Sequence, residues 1–260
     1  MRLFLVSIVL YSMLSNTVQA KESASKINIV NATADNWCPY TCTDNRKDRG
    51  LLIDILEAAF EELDIQLNYS YRSWSRSIQD VKNGSSDILI GAISEQKKDF
   101  YIAFDFFTPD ETVFAVRKDS NIVINEGKDL NKYKIAHVLS YEYDATGLWQ
   151  PFIDNHQNKV VISSTQGERH LLTLLQRDRI EVAVLNKTVA TYNLQDMKNK
   201  NNIELLHRDI ISNVYLAFTI TERGKKIKDL FQKGFKQLIG TEKLKRIYTK
   251  YQIQMPDFRQ

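Results

Sequence analysis

Two short apolar segments constrain the fold of this chain more than any other feature. Residues 87–92 have the sequence Asp-Ile-Leu-Ile-Gly-Ala, and residues 181–185 have the sequence Glu-Val-Ala-Val-Leu. Continuous apolar runs of this length are typical of strands that are buried on both faces of a parallel sheet. A chain with two such strands must cover both faces of its sheets with helices, which favours an α/β fold.

Alternating strand and helix patterns surround each apolar run. In the first half, strand patterns occupy residues 27–32 and 65–69, and helix patterns occupy residues 50–63 and 75–82. The second half repeats this order, with strands at 134–138 and 159–163 and helices within 141–155 and over 164–176 and 188–193. Basic helical patterns cover residues 223–251, interrupted near Gly240. Two such passes predict two α/β lobes.

Two extended, mixed apolar segments are placed to cross between the lobes, at residues 107–118 and 213–221. We therefore expect a first lobe from residues 21–112, a second lobe from 113–213, and a return to the first lobe over 214–260. Two lobes joined by two crossovers form a cleft, and small ligands usually bind in such clefts. Helix N-termini at the strand ends would present backbone N–H groups to an anion there.

The first twenty residues have the pattern of a secretory signal peptide. Arg2 is followed by an apolar stretch over residues 3–14, and small residues lead to Ala20. The apolar stretch is short for a bilayer-spanning helix. We expect cleavage near Ala20 and a periplasmic protein, with a buried N-terminal helix as the alternative.

The composition argues against nucleic-acid-binding, metal-binding and redox proteins. A formal net charge of +3 gives no reason to expect a nucleic-acid partner. Two cysteines and four scattered histidines show no metal-ligand spacing, so we expect no metal ion and no cofactor. Cys38 and Cys42 are expected to form a disulfide in an oxidising compartment and to hold Trp37 and Tyr40 in one loop. A redox function is the weaker alternative, because three residues separate the thiols.

Four ordered stretches resemble the family 3 extracellular solute-binding proteins of amino-acid ABC transporters. They are the helix start at 50–56, the Trp-to-Asp-Ile run at 74–88, the segment at 102–107 and the strand approach at 174–184. The resemblance implies the type II periplasmic binding-protein fold, a monomer whose two lobes close on a small solute. It also implies a membrane permease as partner, or a receptor's periplasmic domain if the protein is a sensory adaptor. A third implied alternative is an enzyme like the periplasmic cyclohexadienyl dehydratases.

Two positions depart from the family's amino-acid clamp. The segment that carries a carboxylate-binding arginine in the family has Lys98 here, or Lys97 in the other register. Lysine keeps the charge but lacks the planar fork of arginine. The position of the family's amine-binding aspartate has Asn186. An amino acid or a related small anion is therefore the expected solute.

The candidate ligand-binding residues come from both lobes, and we expect no catalytic residue. Trp37, Tyr40 and Trp74 follow strands and are placed to wall the cleft, although Trp74 also suits the lobe core. Arg76 is a candidate for the solute's negative group, or a surface helix residue. Ser140 is a candidate anion ligand, or a simple cap. The predicted set is Tyr40, Trp74, Arg76, Lys98, Ser140 and Asn186.

Overall fold

Strands and helices alternate along the described chain as the sequence predicts. The computed structural model describes residues 26–43, 48–93, 99–102 and 107–258. The predicted signal peptide and Lys98 lie outside these residues. The strands are β1 (Ile29–Ala34), β2 (Gln66–Tyr71), β3 (Ile88–Ala92), β4 (Tyr101–Ile102), β5 (Thr108–Arg117), β6 (Ile135–Val138), β7 (Lys159–Ile162), β8 (Val182–Asn186) and β9 (Ile203–Phe218). The helices are α1 (Leu51–Glu61), α2 (Trp74–Lys82), α3 (Gln150–Asp154), α4 (Gly167–Gln176), α5 (Lys187–Gln195), α6 (Glu222–Leu238) and α7 (Glu242–Lys250).

The first lobe is built on three parallel strands in the order β2-β1-β3. All five residues of β3 are buried, as its continuous apolar sequence predicts. Helices α1 and α6 pack closely, because Gly234 allows contact with the backbone of Ala59; a Cβ at this glycine would lie 2.0 Å from the Ala59 carbonyl oxygen. Aromatic rings of Phe60, Phe231 and Phe107 fill the core beside them.

The second lobe repeats this plan with parallel strands in the order β8-β6-β7. Strand β5 extends this sheet by pairing antiparallel with β8. Leu171, Leu172 and Leu175 of α4 are fully buried against these strands. The parallel three-stranded units confirm the α/β prediction for both halves of the chain.

Two long strands connect the lobes. Strands β5 and β9 pair antiparallel from Thr108 opposite Val214 to Arg117 opposite Ile203. The far end of β9 then pairs with β3 of the first lobe. These strands occupy the predicted crossovers, but β9 begins ten residues earlier than residue 213, since it starts at Ile203. The structure thus has the two-lobed architecture with two crossover strands.

The largest departure from the predicted helices lies between β6 and α3. A helix was expected within residues 141–155, and only Gln150–Asp154 is helical. Asp144 accounts for this, because its carboxylate accepts hydrogen bonds from the backbone N–H groups of Thr146 and Trp149 and fixes a turn. The resulting loop, residues 139–149, faces the first lobe.

In the described part of the chain, no helix is both long enough and apolar enough to cross a membrane.

Candidate functional site

The candidate site lies where the lobes meet, at the carboxyl ends of strands from both sheets. Asp35 and Trp37 follow β1, Tyr141 follows β6, and Asn186 is the last residue of β8. Ends of parallel strands are the usual position for ligand sites in α/β folds because the loops there leave a crevice. The chain therefore brings polar and aromatic side chains from three separate stretches to one place.

The loop closed by Cys38 and Cys42 positions the first aromatic residue. These cysteines form a disulfide, with Cα atoms 4.7 Å apart, which agrees with the predicted bond. Directly before the loop, Trp37 bridges to Thr41 through its backbone, and its ring lies 4.5 Å from the ring of Tyr40. The loop thus holds the Trp37 indole in a fixed orientation towards the second lobe.

Gly91 in β3 makes room for that indole. Its φ is +94°, and a Cβ there would lie 3.2 Å from two carbon atoms of the Trp37 ring. Both the backbone conformation and the close approach favour glycine. The ring therefore rests directly on the backbone of a buried strand.

Hydrogen bonds cross the interface between the lobes at three aromatic side chains. The Trp37 Nε1–H donates to Glu168 Oε1 at 3.1 Å and lies 3.2 Å from Asn186 Oδ1. The Trp74 Nε1–H donates to the Ser140 carbonyl oxygen at 2.9 Å. The Tyr141 hydroxyl donates to Asp35 Oδ2 at 2.6 Å. These contacts hold the lobes in a closed arrangement.

A backbone hydrogen bond and a ring contact support the same closure. The Asn36 N–H donates to the Thr165 carbonyl oxygen at 2.8 Å, joining the β1 loop to the segment before α4. The Trp74 and Tyr141 rings meet edge to face, with centroids 5.7 Å apart. Such aromatic pairs contribute about 0.5–1.5 kcal/mol beyond their buried area.

Three carboxyl groups are buried at this junction. Burial raises the pKa of Asp35 to about 7 and that of Asp110 to about 7. Burial, with smaller contributions from the carboxyls of Asp110 and Asp35, raises the pKa of Glu168 well above its ordinary value. Desolvation favours the neutral form of a carboxyl, and the hydrogen bonds that these three groups accept offset only part of it.

The space left between the closed lobes is small. A cavity of about 20 Å³ remains, which has room for about one water molecule. Its described lining comprises Asp35, Trp37, Trp74, Gly91, Ile93, Tyr141, Glu142 and Asn186. A solute of several heavy atoms can enter only when the lobes separate.

A comparison with protein families identifies the type of protein that has this arrangement. The family model for bacterial extracellular solute-binding proteins, family 3, matches residues 29–254. The chain belongs to this family. No curated protein sequence is similar enough to match it.

Solved structures with the same fold support the two-lobed architecture of this family 3 protein. The substrate-binding protein of an amino acid ABC transporter is 20% identical, with a TM-score of 0.69, over 89% of this chain and 99% of that chain. The arginine-, lysine-, histidine-binding protein ArtJ from Geobacillus stearothermophilus is 16% identical, with a TM-score of 0.71, over 89% and 97%. A histidine kinase sensor domain with similarity to periplasmic binding proteins is 18% identical, with a TM-score of 0.72, over 88% and 98%.

Two of the predicted ligand residues line the cavity of this solute-binding protein. Trp74 begins α2 and faces the second lobe, and Asn186 ends β8 opposite Trp37. Tyr40 is fully buried behind Trp37, where its hydroxyl interacts with the Asp110 carboxyl. Ser140 is exposed and contributes its carbonyl oxygen to Trp74.

Of the two predicted cations, Arg76 and Lys98, only Arg76 belongs to the described residues. Arg76 is exposed on α2 and is not among the cavity-lining residues. Lys98 lies outside the described residues. The negative group that these two side chains were expected to bind therefore has no described cation within the cavity lining.

Three residues that hold the lobes together were not among the predicted ligand residues: Asp35, Tyr141 and Glu168. Asp35 directly follows β1, so its place at a strand end was a signal available in the sequence. Glu168 in the first turn of α4 has the position of an ordinary helix-start carboxylate. Only the folded chain brings it to Trp37, 131 positions away.

Proposed function

We propose that this protein is a non-catalytic periplasmic receptor that captures an amino acid or a related small polar solute between its lobes. It then presents the solute to the membrane permease of an ABC transporter. The observation that carries the proposal is the interlobe cavity, where aromatic and carboxyl side chains from both lobes converge. Family membership adds that such chains are extracellular solute-binding proteins.

The side chains around the cavity favour a solute with a cationic group. Asp35 lines the cavity together with the aromatic residues Trp37, Trp74 and Tyr141. Aromatic faces attract cations, and a desolvated carboxylate gains most from a cationic partner. ArtJ, which shares the fold, is named for arginine, lysine and histidine. An amino acid with its ammonium or side-chain cation near Asp35 fits these features.

The predicted ligand residues have distinct roles in this proposal. Trp74 packs against the apolar part of the solute. Asn186 offers the solute's amine a neutral amide, which binds it less strongly than a carboxylate at this position would. Lys98 keeps the predicted role of carboxylate anchor. Ser140 and Tyr40 act by supporting Trp74 and Trp37.

Binding requires the lobes to open and close again. The cross-lobe bonds of Trp37, Trp74 and Tyr141 must break before a solute enters, because the closed cavity holds about one water molecule. Strands β5 and β9 are the connections about which the lobes move. A solute that contacts both lobes then replaces the direct contacts between them.

Signalling is a second candidate function, favoured by the likeness to a histidine kinase sensor domain. The solute site is the same in both cases, and only the partner of the closed form differs. Uptake of the solute by cells that lack this protein separates the two functions: unchanged uptake favours signalling, and lost uptake favours transport.

Thermal unfolding against a solute panel tests the proposed capture. The panel contains cationic, neutral and acidic amino acids, simple amines and small carboxylates. A solute at a hundred times its Kd stabilises the protein by about 2.7 kcal/mol. For a chain of this size, that free energy raises Tm by roughly 5–10 °C. We expect this shift with amine-bearing solutes; a shift with amine-free carboxylates alone contradicts the proposed cation, and no shift contradicts capture itself.

A further inference from the structure

The carboxyl groups at the lobe junction have neutral partners on the opposite lobe. Asp35 belongs to the first lobe and accepts its hydrogen bond from the Tyr141 hydroxyl of the second. Glu168 belongs to the second lobe and accepts its hydrogen bond from the Trp37 indole of the first. Both residues are 1% exposed. Closure of the lobes thus removes two carboxyls from water without giving either a described cationic partner.

The titratable groups that face Asp35 from the packed elements are themselves neutral or acidic. They are Tyr69 on β2, Tyr141, Glu142 and Tyr143 on the loop after β6, and Glu168 on α4. Two described cations on this side have acidic partners of their own: Arg49 interacts with Tyr69 and forms an ion pair with Glu57, and Arg72 pairs with Asp80. Ionised Asp35 therefore has no described counter-charge in contact with it.

The surroundings of Glu168 have the same character. Its carboxylate accepts hydrogen bonds from the Asn186 backbone N–H and from Trp37, and it faces the carboxyls of Asp110 and Asp35 and the phenols of Tyr141 and Tyr143. Lys187 and His207 lie on neighbouring elements, but Lys187 forms an ion pair with Glu111, and His207 Nδ1 lies 2.8 Å from Glu111 Oε1. Three acidic groups thus share one buried junction, which favours their neutral forms.

We infer that closure of the lobes is coupled to proton uptake, with Asp35 and Glu168 neutral in the closed arrangement and ionised when the lobes separate. A carboxyl that binds its proton more tightly in one arrangement stabilises that arrangement as the pH falls. The closed pKa of Asp35 is about 7, against an ordinary value of 3.8 in water. Raising the pH from 5 to 8 should therefore lower the closed-to-open ratio about a hundredfold through Asp35 alone.

Coupling between closure and proton uptake also changes how the lobes respond to a cationic solute at different pH values. This consequence rests on the function proposed above. A cationic group placed at Asp35 supplies a counter-charge that the described residues of the junction do not provide, so the loaded cleft stays closed with its carboxyl ionised. Neutral or alkaline pH then favours an open receptor that closes on its solute, and acidic pH favours lobes that close on each other.

Small-angle X-ray scattering of the solute-free protein at pH 5 and pH 8 tests the coupling. We expect the radius of gyration to increase from pH 5 to pH 8 in the wild-type protein. In the variant Asp35→Asn/Glu168→Gln, neutral amides imitate the protonated carboxyls, and the protein should stay compact at both pH values. The control variant Asp119→Asn/Glu222→Gln changes two exposed acids and should expand like the wild type.

Two outcomes overturn the inference: a wild-type radius of gyration that is equal at the two pH values, or a double variant that expands as the wild type does. Circular dichroism at both pH values shows whether each variant is folded. If the double variant does not fold, Asp35→Asn alone replaces it, and its expansion must be smaller than that of the wild type. The test uses no solute, so its failure is distinct from failure of the proposed capture.

Discussion

Replacing Trp37 by phenylalanine should shift the protein towards the open arrangement. The substitution keeps an aromatic ring against Gly91 but removes the indole N–H that faces Glu168 and Asn186 across the lobe interface. A buried acceptor that loses its donor costs roughly 1–3 kcal/mol. Because this cost falls on the closed arrangement, the closed-to-open ratio should fall about 5- to 150-fold.

Acrylamide quenching of tryptophan fluorescence measures this shift. The chain has three tryptophans, so Trp149→Phe leaves two indoles that are both shielded in the cleft. Adding Trp37→Phe leaves Trp74 alone, and its quenching should increase, since Ser140 and Tyr141 of the second lobe no longer cover it. Trp149 packs on Phe114 within the second lobe, which makes its substitution the matched background. If acrylamide quenches Trp74 no more than it quenches Trp37 and Trp74 in the Trp149→Phe background, the hydrogen bonds of the Trp37 indole do not hold the lobes together.

Further predictions concern stability and the role of α2. Gly234→Ala should lower the free energy of unfolding by about 1–3 kcal/mol in urea denaturation, because the new Cβ overlaps the Ala59 carbonyl oxygen. The control Lys233→Ala, on the exposed side of α6, should change this free energy little. Equal stability of the two variants would contradict the close approach of α1 and α6. Asp87→Asn should lower the urea midpoint more than Asp229→Asn does. Buried Asp87 accepts two hydrogen bonds from Arg223 and one from the Asn31 N–H. Asp229, in contrast, is an exposed partner of Lys228. Arg76→Ala should leave solute affinity within about twofold, since its side chain is exposed; a tenfold loss measured by calorimetry would instead support the predicted role of Arg76 as anion ligand.

The strand and helix plan could be predicted because it depends on local patterns. The apolar run that ends at Ala92 forms β3, and the run that ends at Leu185 forms β8 together with Asn186. The interruption near Gly240 separates α6 from α7, as the helix pattern indicates. These features need no knowledge of distant contacts, since periodicity and turn residues carry them.

The exposure of Arg76 was also available from the sequence. Trp74, Ser77, Ile78 and Val81 are buried on α2, at spacings of three, four and seven from Trp74. Residues two positions apart lie on opposite sides of a helix, so Arg76 cannot share the face of Trp74. The helical period therefore favours the surface-residue alternative for Arg76, and its role as an anion ligand stays a prediction.

The carboxyl groups of the junction could not be predicted in the same way. Asp35 meets Tyr141 across 106 positions, and Trp37 meets Glu168 across 131. Such pairs depend on how two lobes settle against each other, and neither residue differs locally from an ordinary strand-end or helix-start acid. Their burial, which changes their chemistry, exists only in the folded protein.

Isothermal titration calorimetry of the best solute from the panel shows whether the solute binds between the lobes. We expect one solute per wild-type chain, and at least tenfold weaker binding by Trp74→Ala, whose side chain lines the cleft from the first lobe. We also expect loss of affinity in Asp35→Asn when the solute carries a cation. Equal affinity of the wild type and both variants would place the binding site elsewhere and contradict capture between the lobes.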